Sequence, residues 1–258
     1  MARVLITGSA DGLGLLAAQR LIEQGHAVTL HARNPQRARA ASAAAEGAEA
    51  VLVADVSTLA QMRSLAEQAN RSGRYQAVIH NVGVGYQTAH RVETADGFSQ
   101  LFAINVLTPY VLTALMQRPD RLVYLSSGMH RGGSASLEDP QWTKRRWNGP
   151  QAYSDSKLFD VLLAFGVARR WPLVLSNALE PGWVPTRMGG PQAPDDLALG
   201  ALTQAWLAVS DDPAARVSGQ YFFHQQPRPT QADARRIELQ DGLLEYCAGL
   251  SGIALPAA

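Results

Sequence analysis

The sequence predicts a single three-layer α/β domain: a doubly wound parallel sheet of about seven strands with helices on both faces. Short β-branched runs alternate with helical patterns from one end of the 258 residues to the other. The strand runs are almost continuously apolar, as in strands buried on both faces. No linker or internal repeat divides the chain, and 47% hydrophobic with 17% charged residues is a globular composition.

Residues 3–7 form the first expected strand and run directly into closely spaced glycines. A helical pattern over 13–24 leads to a strand at 27–32, and the alanine-rich stretch 38–45 reads as helix because alanine is the best helix former. A strand at 50–54, a helix at 59–70 and a strand at 77–81 complete the first half. The second half expects a helix at 98–116, a strand at 122–126, a helix at 152–169, strands at 174–179 and 220–223, and a helix at 197–209 between those strands. Residues 231–250, entered through Pro227-Arg228-Pro229, suit an amphipathic helix that either closes a cleft or packs in a dimer. Two stretches break the rhythm: 131–150, rich in Gly, Ser, Pro and Trp, and 181–196, crowded with proline and glycine. Irregular segments of this length in a compact domain are more often functional than idle.

A net charge of +1 gives no electrostatic case for nucleic-acid or membrane partners. A lone cysteine, Cys247, excludes an internal disulfide and fits a reducing compartment. The start at Met1 leaves no room for a signal peptide before the first strand, and no apolar run approaches the ~20 residues of a membrane span. A soluble cytoplasmic protein is the expectation. The six histidines show no metal-ligand spacing, so no metal is expected.

Thr7-Gly8-Ser9-Ala10-Asp11-Gly12-Leu13-Gly14 follows the first strand and opens a helix. There a backbone free of side chains turns tightly, and helix-start amides face an anion such as a pyrophosphate. The spacing G-x-x-x-G-x-G departs from the generic dinucleotide pattern. At the end of the second strand, where an acid would accept a ribose 2′-OH, the chain has Leu30-His31-Ala32-Arg33-Asn34 with no carboxylate. Arg33 is either a solvated charge or the partner of a 2′-phosphate, and the missing acid favours NADP over NAD. Asp55 ends the third strand, either accepting from an adenine amino group or capping the next helix. Asn81-Val82-Gly83 places a small turn after the fourth strand, at the sheet edge where ligands bind.

Tyr153 and Lys157 stand four apart on a helical segment and so share a face. A cation at ~4 Å in an effective dielectric of ~20 is worth roughly three pKa units, enough to bring a phenol towards the range of general acid–base catalysis. One hydroxyl of Ser126-Ser127 should emerge at the same edge, where it could hold a substrate carbonyl oxygen.

In these motifs and their order the chain resembles the short-chain dehydrogenases/reductases, in their single-domain branch, which contains retinol-dehydrogenase-like enzymes and bacterial ketoreductases. The set is Thr7-Gly8-x-x-x-Gly12-x-Gly14, Asp55, Asn81-x-Gly83, Asn105, Ser127, Tyr153-x-x-x-Lys157 and Pro181-Gly182 with Thr186. The resemblance implies a Rossmann-type fold spanning residues 1–258. It makes Tyr153 the proton donor or acceptor and Ser127 the group that orients the carbonyl. Lys157 would hold the nicotinamide ribose and depress the phenol pKa, Asn105 would support a proton-relaying water, and Thr186 would contact the carboxamide. The cofactor set is then Thr7, Gly8, Ser9, Asp11, Gly12, Leu13, Gly14, Arg33, Asp55, Val56, Asn81, Gly83, Tyr153, Lys157, Pro181, Gly182, Val184 and Thr186. The family also favours dimers or tetramers.

Trp142, Trp147, Trp183 and Met188 in the two irregular segments, with Met129 just before the first, are expected as cleft walls for a hydrophobic carbonyl substrate, or Trp142 and Trp147 as anchors of the insertion. Lys144-Arg145-Arg146 reads as a solvated face. The expected activity is NADP-dependent hydride transfer, with reduction of a ketone or aldehyde the favoured direction. A sensor or scaffold without turnover is the alternative, although the chain keeps both Tyr and Lys. A sugar-nucleotide epimerase or dehydratase would need a longer chain.

Overall fold

A computed structural model describes all 258 residues. Eight strands form one sheet in the order β3-β2-β1-β4-β5-β6-β7-β8. They are β1 (Arg3–Ile6), β2 (Ala27–Ala32), β3 (Ala50–Val53), β4 (Ala77–His80), β5 (Arg121–Leu125), β6 (Leu175–Glu180), β7 (Tyr221–Phe223) and β8 (Gln226–Pro227). All neighbours pair parallel except β7 and β8, which are antiparallel. The strand order reverses between β1 and β4, which opens a crevice at their carboxyl ends.

Helices α1 (Gly12–Glu23), α2 (Pro35–Ala44) and α7 (Leu197–Val209) cover one face, and α3 (Leu59–Arg71), α5 (Thr108–Leu115) and α6 (Gly149–Arg170) the other. Each face has its own core. Ile6, Leu21, Leu30, Ile79 and Phe222 lie in one, while Leu5, Phe102, Tyr110, Phe159 and Trp171 lie in the larger one. Outside α6 packs α8 (Ile237–Ser251), so α6 is buried along nearly its whole length. The tail after α8 is tied down as well: the Tyr110 hydroxyl and the Trp171 indole donate to the Ile253 and Pro256 carbonyls.

The short α4 (Gln100–Phe102) runs into α5 through a π-helical turn at Ala103–Leu107. The eighth strand exists because a two-residue hairpin turn puts both His224 (φ 46°) and Gln225 (φ 62°) in the left-handed region. A turn of that twist normally carries Asn-Gly or Asp-Gly, so its residues gave no signal in the sequence. No helix is long and apolar enough to cross a membrane.

Candidate active site

The loop after β1 is built to be bare. Gly8 has φ +64°, and a Cβ there would come within 2.8 Å of the Val82 Cα. A Cβ on Gly14 would collide with the Asn81 side-chain nitrogen, which donates to the carbonyls of Thr7 (2.9 Å) and Gly8 (3.0 Å). Thr7 Oγ1 accepts from the amides of Asn81 and Val82. Thr7, Asn81, Gly8 and Gly14 therefore brace the crevice from beneath. Ser9 is buried and spends its hydroxyl on the Ile6 carbonyl and the His31 amide. His31 was missed as a functional support. Its Nδ1 accepts from the Gly8 amide and its Nε2 donates to the Ala54 carbonyl, so one neutral ring ties the glycine loop to two strand ends. Burial lowers its pKa, against the pull of the Ala54 carbonyl and Asp55.

Helices α2, α3, α6 and α7 each begin at a residue whose side chain accepts from a first-turn amide; α1 does not. Its N-cap, Asp11, is turned away and pairs with Arg37 at 2.6 Å. A Cβ on Gly12 would meet only the Thr186 methyl, at 3.9 Å. Uncapped amides beneath an open glycine, with Thr186 across the gap, fit a pyrophosphate and the groups attached to it. Leu13 offers its carbonyl to Gln204. Arg33 is exposed at the end of β2 and has no ion-pair partner, whereas Arg37 is engaged one turn later. Asp55 is exposed and accepts from the Ser57 amide; the cap of α3 is Thr58, not Asp55. The Val56 side chain is buried in the core, so only its backbone can face the crevice.

Pro181 and Gly182 follow β6, and Gly182 (φ +87°) lies close to the carboxylate of Asp195, which accepts from the Trp183 amide. Val184 is buried, and Thr186 Oγ1 accepts from the Gly189 amide. Trp183 is 55% exposed and donates to the Gly189 carbonyl, so it is not a wall of the cleft.

Tyr153, Lys157 and Ser127 converge at the carboxyl edge. Ser126 is the buried member of its pair and donates to the Lys157 carbonyl, which leaves Ser127 as the hydroxyl on the crevice side. Asn105 sits in the π turn, where the extra residue per turn aims its amide at the loop after β4. It brackets Val84 (amide 2.8 Å, carbonyl 3.1 Å) and donates to Ser156 Oγ. Gly83 leaves room between Asn105 and Lys157: a Cβ there would be 3.5 and 3.6 Å from Oδ1 and Nζ.

Lys157 Nζ lies 5.8 Å from the Tyr153 ring centroid and donates to the Leu125 carbonyl (2.7 Å) and to Asp160 Oδ2 (2.8 Å). Sequence reasoning overlooked Asp160, although it lies one turn along the same helix face as Lys157. The expected depression of the phenol pKa is not what the residues alone produce. Burial raises the pKa of Tyr153, and Lys157 and Ser127 only partly oppose this, while Asp160 and Tyr86 add to it.

Around the phenol, Leu101, Trp142 and Ala152 pack with Met129, Trp147, Tyr86 and Met188. The Tyr153 hydroxyl lies 3.7 Å from the Met188 sulfur and the ring 5.4 Å from that of Tyr86. Four of the five expected wall residues are thus in place. Trp142 is also an anchor, held at φ 56° with Arg145 stacked 3.7 Å over its ring. Arg145 is not a solvated charge: it pairs at 2.8 Å with the buried Asp155, whose other oxygen accepts from the Ser134 amide and Gln151. Lys144 and Arg146 are exposed, as expected. The insertion is therefore fastened to α6 rather than hinged. A cavity of about 520 Å³ at the opposite edge of the sheet, among Met1, His26, Gln76, Arg121 and Asp211, assembles no comparable chemistry.

Residues 2–196 match the sequence profile described as short chain dehydrogenase. An uncharacterized oxidoreductase of Emericella nidulans, AN7799, is 44% identical over 99% of both chains. A Streptomyces sp. protein named as a candidate daunorubicin C-13 ketoreductase, DnrU, is 31% identical over 96% of this chain and 92% of its own. The crystal structure of an uncharacterized protein from Mycobacterium paratuberculosis superposes with a TM-score of 0.86 at 26% identity, covering 99% of this chain and 95% of that one.

Proposed function

The chain belongs to the short-chain dehydrogenases, a family of oxidoreductases that use nicotinamide cofactors, and from that premise we propose that it is an NADP-dependent reductase of hydrophobic ketones or aldehydes. The observation that carries this reading is the convergence of the Tyr153 phenol, the Ser127 hydroxyl and the Lys157 ammonium beside a wall of Trp142, Trp147, Tyr86 and Met188. A reduced nicotinamide, when bound, supplies a hydride to a carbonyl carbon. The chain's own residues do the rest. The uncapped start of α1 receives the pyrophosphate, with Thr186 across the gap. Arg33, exposed and unpaired, meets a 2′-phosphate. Ser127 donates to the carbonyl oxygen and shares the charge that develops there. Tyr153 gives that oxygen its proton. Lys157, fixed by Leu125 and Asp160, keeps one of its three N–H donors for the ribose. The aromatic wall excludes water and admits an apolar substrate.

The test is NADPH oxidation by the purified protein across a panel of ketones and aldehydes, with Tyr153→Phe as the blank. The variant should bind NADPH as the wild type does and lose roughly 10²- to 10⁴-fold in turnover. Wild-type rates in the variant would overturn the mechanism, and NADPH binding without turnover of any compound would turn the reading towards a sensor.

A further inference from the structure

One buried charge in that mechanism touches neither the carbonyl nor the cofactor. The Asp160 side chain is 3% exposed, and its one hydrogen-bond donor is Lys157 Nζ at 2.8 Å. A carboxylate withdrawn from water is costly even when paired, and an apolar side chain would pack in its place. We propose that Asp160 is a positioning residue that sets the pH range of the proton transfer: it neutralises the Lys157 ammonium from behind and so keeps on the Tyr153 phenol, to higher pH, the proton that a carbonyl must receive. The proposal rests on the reading of Tyr153 as proton donor.

The charges around the phenol support it. A lone ammonium 5.8 Å from the ring would pull the phenol pKa down by about two units at an effective dielectric of ~20. The carboxylate bonded to that ammonium takes away much of the pull, and burial then dominates and raises the phenol. Lys157 itself stays charged: burial lowers its pKa, but Asp160 and Tyr153 outweigh this and raise it. Burial pushes the Asp160 carboxyl up to about 6 against the attraction of Lys157, so it is ionised at neutral pH. The other groups near the pair do not compensate. Behind Asp160, Tyr124 on β5 is pushed up by burial and bonded to Thr113, and His80 on β4, whose ring lies 4.7 Å from that of Tyr124, is driven down to about 3 by burial, so both are neutral. On the phenol side stand Ser127 after β5, Tyr86 in the loop after β4, and Tyr221 on β7. Tyr221 lies near the Glu180–Arg131 ion pair, and burial holds its phenol neutral.

The step explains why this matters. In reduction the hydride adds to the carbonyl carbon, and the C=O π pair moves to oxygen. That oxygen takes the Tyr153 proton, leaving a tyrosinate and the oxidised cofactor. In oxidation the tyrosinate must exist beforehand to accept the alcohol proton. A phenol held protonated therefore widens the pH range of reduction and confines oxidation to high pH.

Asp160→Asn removes the charge and keeps the shape. Ionisation of Tyr153 is read by ultraviolet difference titration of the full chain, subtracting the Tyr153→Phe partner in each background, which needs no turnover. The phenol pKa should fall by roughly one to two units in Asp160→Asn, and Asp160→Glu should restore it. The alkaline limb of kcat/KM for ketone reduction and the limb on which alcohol oxidation rises should both move to lower pH by the same amount. Asp160→Ala, which also removes the charge, serves if the asparagine variant does not fold. An unmoved titration, or equal loss in both directions with unmoved pH limbs, overturns the proposal. A shifted titration without turnover of any carbonyl compound keeps the hold of Asp160 on the phenol proton and removes the reductase reading instead.

Discussion

Replacing Asp155 by alanine should cost the protein about 4 kcal/mol and loosen the substrate wall before it affects the cofactor. The carboxylate is 1% exposed and accepts from the Ser134 amide at 2.8 Å, Gln151 Nε2 at 2.9 Å and Arg145 at 2.8 Å. Each charge-assisted bond is worth about 1.5–3 kcal/mol, and a buried donor left behind adds its own penalty. The Arg145 share is discounted, because its side chain is 35% exposed and can turn to water. Removing one partner of a buried pair otherwise costs about 3–5 kcal/mol, which sets the same scale. For 258 residues unfolding in one step, the entropy is about 0.5 kcal/mol/K, so Tm should fall by about 7 °C. Calorimetry with and without NADPH, alongside KM for the best carbonyl compound, measures both effects. KM should rise severalfold while NADPH affinity stays within about twofold. A Tm within 2 °C of wild type, or a KM that does not move, would refute the reasoning that Asp155 fastens the insertion.

Arg33→Ala should weaken NADPH by about tenfold or more and leave NADH nearly unchanged, as fluorescence titration would show; equal losses would remove the 2′-phosphate assignment. Acidification should destabilise the fold through His80, whose pKa burial drives from 6.5 to about 3. The unfolded chain then binds the proton first, so this stability is complete above pH 6.5 and is lost at up to about 1.4 kcal/mol per pH unit below it. His31 is lowered too and acts in the same direction. Asp160, raised to about 6, returns part of the loss between that pH and its usual value near 4. The Tm of wild type should therefore fall between pH 7.5 and 5, and that of His80→Gln should fall less; parallel curves would contradict the assignment.

The sheet was legible because its strands carry a near-continuous apolar signal, and the expected segments fall within a residue or so of β1–β7. What escaped was whatever depends on contacts between distant residues. The β8 turn is written in His224 and Gln225, ordinary residues forced into a rare backbone region. Read by themselves Ser126 and Ser127 were indistinguishable, and only the family resemblance named Ser127; the physical reason is that the Lys157 carbonyl claims Ser126. Trp183 and Trp142 look alike in sequence, yet one faces water and the other packs beside Tyr153. Arg145 read as a surface charge because its partner Asp155 lies between Tyr153 and Lys157, on the far side of a loop. Asp160 did carry a signal, its spacing from Lys157, but only the absence of other charges around it gave that spacing meaning.

The packing around the Tyr153 phenol combines two unlike kinds of side chain. Trp142 and Trp147 meet edge to face at 5.8 Å and belong to a loop fastened to α6, so they form a stiff mould. The phenol is also touched by Met188, an unbranched thioether with three rotatable bonds on the stretch after β6. Bulk presented to the tryptophans meets a fixed shape, whereas bulk presented to the methionine finds a side chain that can swing aside. In the reductase proposed above, that contrast would make the pocket strict towards one part of a compound and tolerant towards another.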